Sequence, residues 1–217
     1  MTVRTFRRVN LLAASFWLVG MLIWPEVSVA QIATSNSFSG GAKAAAVTVF
    51  GASTGLADTG ALPPAGDALE SSGLTASVPG FLSAEALHAV AIAAGQVDEN
   101  DSEASLAALN VNLFGNTITS DFVMSHASAA CTSGSASLGG SAEVDSLSIN
   151  GVAVAITGAA NQTIALPNGQ VVIYEQSQTS AVSSGSTTVN AVHITINGLA
   201  DVVISSANAG IACGIGI

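Results

Sequence analysis

Hydrophobic and polar residues alternate along most of the chain beyond residue 42. In one segment, for example, Leu109, Val111 and Leu113 alternate with Asn110 and Asn112. A period of two gives a segment one face to bury and one face to meet water, as in a half-buried β-strand. The pattern predicts strands at 43–50, 86–94, 105–113, 117–125, 187–196 and 201–207.

The same alternation predicts which side chains face inward. Two buried faces are expected in particular: Ile118, Ser120, Phe122 and Met124 on one strand, and Val152, Val154 and Ile156 on another. The second of these follows an Asn-Gly pair, which is the first turn of a meander predicted over 145–176.

Asn-Gly occurs three times between such runs, at Asn150-Gly151, Asn168-Gly169 and Asn197-Gly198. A type I′ hairpin turn needs positive φ at both central residues, and Asn followed by Gly supplies it at least cost. Each pair therefore predicts a two-residue turn between antiparallel strands.

Helix and loop signals are confined to short stretches. Ser83 and Glu85 could begin a helix over 83–92, but the same run alternates, so a strand is favoured and a helix is the alternative. The Pro- and Gly-rich segment 55–80 predicts a long loop, and 134–140 and 177–186 predict exposed linkers. The fold class is therefore predicted to be all-β, an antiparallel β-sandwich with hairpin turns.

The first 30 residues have the organisation of a secretory signal peptide. Three arginines precede an apolar run over 11–24, and Ser28-Val29-Ala30 forms a small-x-small cleavage site. The alternative is a membrane anchor, but the run is shorter than the roughly 20 residues that a transmembrane helix needs. We predict a signal peptide at 1–30 and a single all-β domain at 31–217, secreted or at the cell surface, with no integral membrane segment after cleavage.

Cleavage makes the chain strongly acidic. Of the 14 carboxylates only Glu26 leaves with the leader, and Lys43 becomes the one remaining cation, so the formal charge is −12. A chain without a basic patch cannot neutralise phosphates, which excludes nucleic acid as an expected partner and makes an anionic membrane improbable.

Cys131 and Cys213 are the only cysteines. In an oxidising compartment such an isolated pair is most simply a disulfide, here closing a loop of 82 residues. A metal-binding pair and a reactive thiol are the alternatives.

Two segments carry candidate chemistry. The sequence 51–55 matches G-x-S-x-G, the nucleophile-elbow pattern of serine hydrolases, with Ser53 as the nucleophile. The elbow needs a helix directly after the serine, whereas Gly60 and the pair Pro63-Pro64 follow, so a strand end or turn is the stronger interpretation. A secreted serine hydrolase is therefore the least favoured function.

The second segment is acidic. Four carboxylates, those of Asp98, Glu99, Asp101 and Glu103, fall within six residues between two predicted strands. Ca²⁺ prefers oxygen ligands of this kind, so 98–103 is a candidate calcium loop. The spacing is not that of an EF-hand, and the alternative is a solvated acidic hairpin tip.

Other ligand sets are weakly indicated. His88, His126 and His193 lie in three different alternating segments, and a zinc site would require them to converge. Half-buried strand positions are the simpler interpretation, and no cofactor other than calcium is expected. The exported part has no Trp and one Tyr, too few for a sugar-stacking platform.

Four segments, 39–51, 94–111, 146–176 and 189–211, resemble secreted bacterial proteins of the choice-of-anchor P family. The stretch with Asn161-Gln162-Thr163, Pro167-Asn168-Gly169 and Glu175-Gln176 carries most of the likeness. The resemblance implies an exported β-rich surface protein with an interchangeable C-terminal anchor. This chain ends shortly after Cys213 with neither a sorting motif nor an apolar helix, so free release is also expected.

We therefore expect an exported, non-enzymatic cell-envelope or extracellular protein that acts by adhesion or self-association. Its partner would be a surface or matrix component, or another copy of the chain. Ala, Ser, Gly, Thr and Val dominate the exported part, and few charges protect the strand edges against pairing. The alternative is a calcium-dependent binding module that uses 98–103.

Overall fold

The computed structural model describes residues 35–94 and 98–214, which form two packed antiparallel β-sheets with no helix. The strands are β1 (Ser37–Val49), β2 (Ala52–Asp58), β3 (Gly66–Val78), β4 (Leu82–Ala94), β5 (Glu99–Leu113), β6 (Asn116–Thr132), β7 (Ser135–Asp145), β8 (Ser148–Ile149), β9 (Val152–Ala153), β10 (Gln162–Leu166), β11 (Gly169–Ser180), β12 (Ser184–Ile196) and β13 (Ala200–Ala212). Sheet A has the strand order β10-β11-β12-β13-β1-β2, and sheet B has the order β3-β4-β5-β6-β8-β9, with β7 also paired to β6.

The predicted antiparallel β-sandwich is confirmed. All six predicted strands are present, and the alternative helix at 83–92 is wrong because this segment belongs to β4. The signal peptide at 1–30 lies outside the described residues. Within the described ranges there is no helix of the length and hydrophobicity needed to cross a membrane.

The prediction of a long loop at 55–80 is wrong, because β2 and β3 occupy most of it. Pro63, Pro64 and Pro79 all lie in the connections outside these strands, so none of them removes a hydrogen bond from a ladder. The linker predicted at 134–140 likewise lies mostly in β7, and only residues 181–183 separate β11 from β12.

Only one of the three Asn-Gly pairs forms the predicted turn. Asn150 and Gly151 have φ values of 53° and 78°, as a type I′ turn requires. At the second pair the turn residues are Pro167 and Asn168, and the fixed negative φ of proline excludes type I′. The third connection spans 197–199, with positive φ only at Gly198.

The alternating run after Gly151 does not form a long strand. β9 contains only Val152 and Ala153, and the side chain of Val152 is 69% exposed. The predicted buried face of Val152, Val154 and Ile156 is therefore wrong, since Val154 is half-buried and Ile156 is exposed.

A line of irregular residues, the phase-shift belt, crosses sheet A. It consists of Ala57 on β2, Ala44 on β1, Ser205 on β13, Ala191 on β12 and Tyr174 on β11. Regular pairing between neighbouring strands is interrupted at each of them. On alternate strands the belt residue has positive φ: 45° at Ala57, 53° at Ser205 and 49° at Tyr174.

At this belt the inward-facing positions shift by one residue, although no strand gains a residue relative to its neighbours. Consecutive residues Ala44 and Ala45 are consequently both fully buried. Sheet B has a similar shift in β6, where Ser120 is buried but Val123, rather than Phe122, is the next buried residue. The prediction that Phe122 and Met124 face inward is therefore wrong.

The two halves of the sandwich have different cores. The larger cluster is rich in long aliphatic side chains such as Leu106, Ile194 and Ile204. The smaller clusters towards the other end consist mainly of alanine: Ala42, Ala89, Ala91, Ala93, Ala104, Ala127, Ala129, Ala207 and Ala209. Small side chains let the two sheets approach closely in this half.

Polar contacts and a covalent bond also join the sheets. The disulfide between Cys131 and Cys213 connects β6 to the residue after β13, with 5.7 Å between the Cα atoms. The buried Ser205 hydroxyl on sheet A donates to the Ala104 carbonyl on sheet B at 2.7 Å. These links hold the alanine-rich half in one arrangement.

Candidate functional site

Strand β3 is the longest edge strand in the described part of the chain. It spans 13 residues and ends sheet B, pairing with β4 on one side only among the described strands. Asp67 and Glu70 are its only charged residues, so 71–78 is an uncharged edge with no Lys, Arg or Pro. Unpaired N–H and C=O groups along such an edge can pair with another strand.

Leu74 lies in the middle of this uncharged edge. Its side chain is 88% exposed, the largest exposure among the large apolar residues described. Pairing with β4 skips Leu74 and its opposite residue Ala86, which has φ of 47°. The ladder is regular on both sides of this break, so the edge presents two short ladders separated by a protruding leucine.

The other edges are less open. In sheet A, β10 spans only five residues and β2 seven. On sheet B, the Ala136 N–H at the start of β7 donates to the Val182 carbonyl at 3.0 Å. Short edge strands and covering segments are devices that limit unwanted pairing. Strand β3 is therefore the longest of the described edge strands, with 13 residues against 11 in β7.

The predicted disulfide is present, so Cys131 and Cys213 form neither a metal pair nor a free thiol. Ser53 lies on β2, where its hydroxyl hydrogen-bonds the Thr48 hydroxyl at 2.8 Å rather than a basic side chain. A strand, not a helix, contains the residues after Ser53. The serine hydrolase hypothesis stays a prediction without a partner base among the described residues.

The acidic segment 98–103 is mostly strand rather than loop. Glu99, Asp101 and Glu103 point outward from β5, while Asn100 and Ser102 between them are buried. Asp98 precedes the strand and accepts a hydrogen bond from Asn36. Among the described residues no three acidic, histidine or cysteine side chains converge as a metal site, so calcium binding stays a prediction.

The three histidines do not converge. His88 and His126 lie on β4 and β6 of sheet B, whereas His193 lies on β12 of sheet A. His126 Nε2 lies 2.7 Å from Asp101 Oδ1, and His88 Nε2 lies 3.7 Å from Glu70 Oε1. Each histidine is half-buried and has its own carboxylate partner.

A carboxylate–imidazole–carboxylate cluster on sheet A was not predicted from the sequence. His193 Nδ1 lies 2.9 Å from Glu175 Oε2, and Nε2 lies 3.0 Å from Asp201 Oδ2. Burial alone would lower the pKa of His193, but hydrogen bonds to Asp201 and Glu175 outweigh it and the pKa is raised. Asn190 also donates to Glu175, at 2.6 Å.

A shallow cavity of about 490 Å³ lies on the same face, lined by Lys43, Asp58, Asn190, Ser206 and Asn208 among others. Lys43 Nζ lies 2.8 Å from Asp58 Oδ2. Partial burial would raise the pKa of Asp58, but the Lys43 ammonium and the Gly60 N–H hold it below its usual value. Asn208 donates to the Thr187 carbonyl and the Thr188 hydroxyl, so this cavity amide, like that of Asn190, already has partners outside the cavity.

The fold and the edge define a class: an antiparallel β-sandwich protein with a long open edge strand. No family model, curated protein or solved structure matches the chain. The resemblance to the choice-of-anchor P family therefore stays a prediction.

Proposed function

We propose that the protein is exported and acts without catalysis, as a cell-envelope or extracellular protein that associates with itself or adheres to a surface or matrix component. The observation that carries this proposal is the uncharged edge of β3 over 71–78, with Leu74 protruding from it. An added strand would pair with the free backbone groups there and cover the leucine, which is the mode of β-strand addition.

The Cys131–Cys213 disulfide supports export, because such bonds persist mainly in oxidising compartments. The acidic surface opposes nonspecific collapse of many copies, so pairing would be restricted to places where charge is absent. An edge whose only carboxylates, Asp67 and Glu70, lie in its first five residues meets that condition.

Sedimentation velocity over a range of protein concentrations tests the proposal. We expect the protein to assemble as its concentration rises, and Leu74→Lys to reduce assembly because an edge lysine opposes strand pairing. Val182→Lys is the matched control, since Val182 is 83% exposed in the turn between β11 and β12 and gives the same change in charge.

A protein that stays monomeric at every concentration and also fails to bind cells or matrix polymers would contradict the proposal. Equal loss of assembly in Leu74→Lys and Val182→Lys would show that added charge, not the β3 edge, is responsible. If the protein adheres to cells or matrix polymers without self-associating, and only Leu74→Lys loses this adhesion, the partner of the β3 edge is another molecule rather than a second copy.

A further inference from the structure

We infer that one end of the sandwich is a second contact surface, whose partner is the same end of another copy of this chain. The surface, called the turn end below, consists of six connections: 50–51, 79–81, 114–115, 150–151, 167–168 and 197–199. The inference rests on the proposed self-association but uses residues other than β3.

The strand register places these six connections together. In sheet A, Val49 pairs with both Ala52 and Ala200, and Ile196 pairs with Gly169, so three turns lie side by side. In sheet B, β3 and β4, β5 and β6, and β8 and β9 turn at one common end. Asn116 of sheet B donates to Asn168 of sheet A at 2.7 Å, which joins the two groups of turns.

The turn end carries no charge. None of the six connections contains an acidic or basic residue, and within two residues of them only Asp201 is charged. At the opposite end Asp58, Asp67, Asp98 and Glu99 lie in or beside the connections. In a chain of net charge −10, an uncharged end is therefore a marked asymmetry.

Apolar side chains occupy the tips of this end. Phe50 is 71% exposed, and its ring lies 5.5 Å from the ring of Phe114 in an edge-to-face arrangement. The ring of Phe81 also lies near that of Phe114, with 6.4 Å between the ring centroids. Val152, at 69% exposure, adds an aliphatic side chain to the same end.

Phe50 and Phe114 also occupy unfavourable backbone positions. Their φ values are 50° and 48°, each followed by a glycine of positive φ, so both are first central residues of I′-type turns. Asn, Asp or Gly suits that position, whereas a bulky residue there is strained. Within one copy the Phe50 ring contacts Phe114 but stays 71% exposed, and strained positions of this kind are a reason to look for function.

Charge favours a second copy as the partner. Two molecules of this acidic protein repel each other over most of their surfaces, but the turn ends can meet without opposing carboxylates. A two-fold arrangement would bring the Phe50 ring of each copy against the apolar tips of the other. Aromatic rings pack favourably edge to face, as Phe50 and Phe114 already do within one copy.

The test is sedimentation equilibrium of the disulfide-bonded protein carrying Leu74→Lys, so that contact through β3 is weakened and contact through the turn end is measured alone. We expect this variant to dimerise, and the further change Phe50→Asn to weaken the dimer by roughly 30-fold or more, because one exposed ring is lost from each copy. Phe50→Asn should change the thermal stability of the monomer little, since the gain from Asn at positive φ offsets the loss of the contact with Phe114. Val182→Asn is the matched control and should leave the dimer unchanged, because Val182 is an apolar residue of comparable exposure in the turn between β11 and β12.

The outcomes separate the two surfaces. If Leu74→Lys is monomeric while the unmodified protein assembles, the turn-end contact is overturned and the β3 proposal stands. If assembly is unchanged in Leu74→Lys but lost in Phe50→Asn, the turn-end contact is supported and the proposal of assembly through the β3 edge is overturned. If neither variant changes assembly, both are overturned. Phe50-dependent sedimentation of a monomeric protein with phosphatidylcholine vesicles would replace the second copy by a lipid surface.

Discussion

The side chain of Asn100 on sheet B donates a hydrogen bond of 2.7 Å to the carbonyl oxygen of Ser39 on sheet A. The same amide group donates to the Gly210 carbonyl at 3.0 Å. Asn100 is fully buried, so one side chain links β5 to two strands of the opposite sheet.

Replacement of Asn100 by alanine should lower the free energy of unfolding by about 1–3 kcal/mol, because two hydrogen bonds between the sheets are lost. Chemical denaturation measures the change. Asn110→Ala is the control: this residue is exposed on the same strand and should change stability by less than about 0.5 kcal/mol. An Asn100→Ala protein as stable as the parent would show that the inter-sheet bonds contribute nothing measurable.

Replacement of both Cys131 and Cys213 by serine should destabilise the protein. The bond closes a separation of 82 residues, and the chain-entropy relation gives about 4.5 kcal/mol as an upper figure. Thermal unfolding with and without reductant measures the loss. Reductant should lower the Tm of the parent but not that of the doubly substituted protein, and an unchanged parent Tm would contradict the prediction.

The raised pKa of His193 should make stability fall as the solution becomes alkaline. Because the pKa is higher in the folded than in the unfolded state, the stabilisation is complete below about pH 6.5 and is lost as the pH rises through the folded value. Denaturation midpoints from pH 6 to pH 9 test this. His193→Gln should flatten this part of the profile, and Glu175→Gln and Asp201→Asn should each reduce it. An equal decline in His193→Gln would assign the effect to other groups.

The alanine-rich half of the core should reject larger side chains. Ala209 is fully buried between the sheets, so Ala209→Leu should cost about 1–3 kcal/mol or more through overpacking. Ala212→Leu on the same strand is the control, since Ala212 is exposed. Urea denaturation of the two variants compares them, and equal stability would mean that the sheets separate there at little cost.

The sequence predicted the sandwich because alternation is strong where one face of a strand is buried. Leu109, Val111 and Leu113 are all buried as expected. The disulfide was predictable because the chain has no other cysteine with which either partner could pair.

The phase-shift belt escaped prediction for a physical reason. Its positive-φ residues are Ala57, Ser205 and Tyr174, none of which signals a left-handed conformation as Gly or Asn does. The packing of neighbouring strands imposes that conformation. If the inward and outward alternation is extended along a strand past its belt residue, the residues beyond it are therefore predicted on the wrong face of the sheet.

Strand β3 escaped prediction because both its composition and its position conceal it. Its Ser-, Thr- and Gly-rich sequence lacks a buried stripe, since all of its residues are exposed or half-buried. The order of strands in the sheet makes β3 an edge strand, and a local sequence pattern does not indicate that order. For the same reason the meeting of Glu175, His193 and Asp201, from three strands, could not be anticipated.

The phase-shift belt also restricts how the chain can change in length. A residue inserted into β13 between the belt and the turn at 197–199 would displace Ser205 relative to Ala44 and Ala191, the opposite residues on the strands either side. The irregular positions of the three strands would then no longer coincide, and the inward and outward faces would conflict along the ladder. Length variation in sheet A is thus confined to its connections, while its strands accept substitutions only.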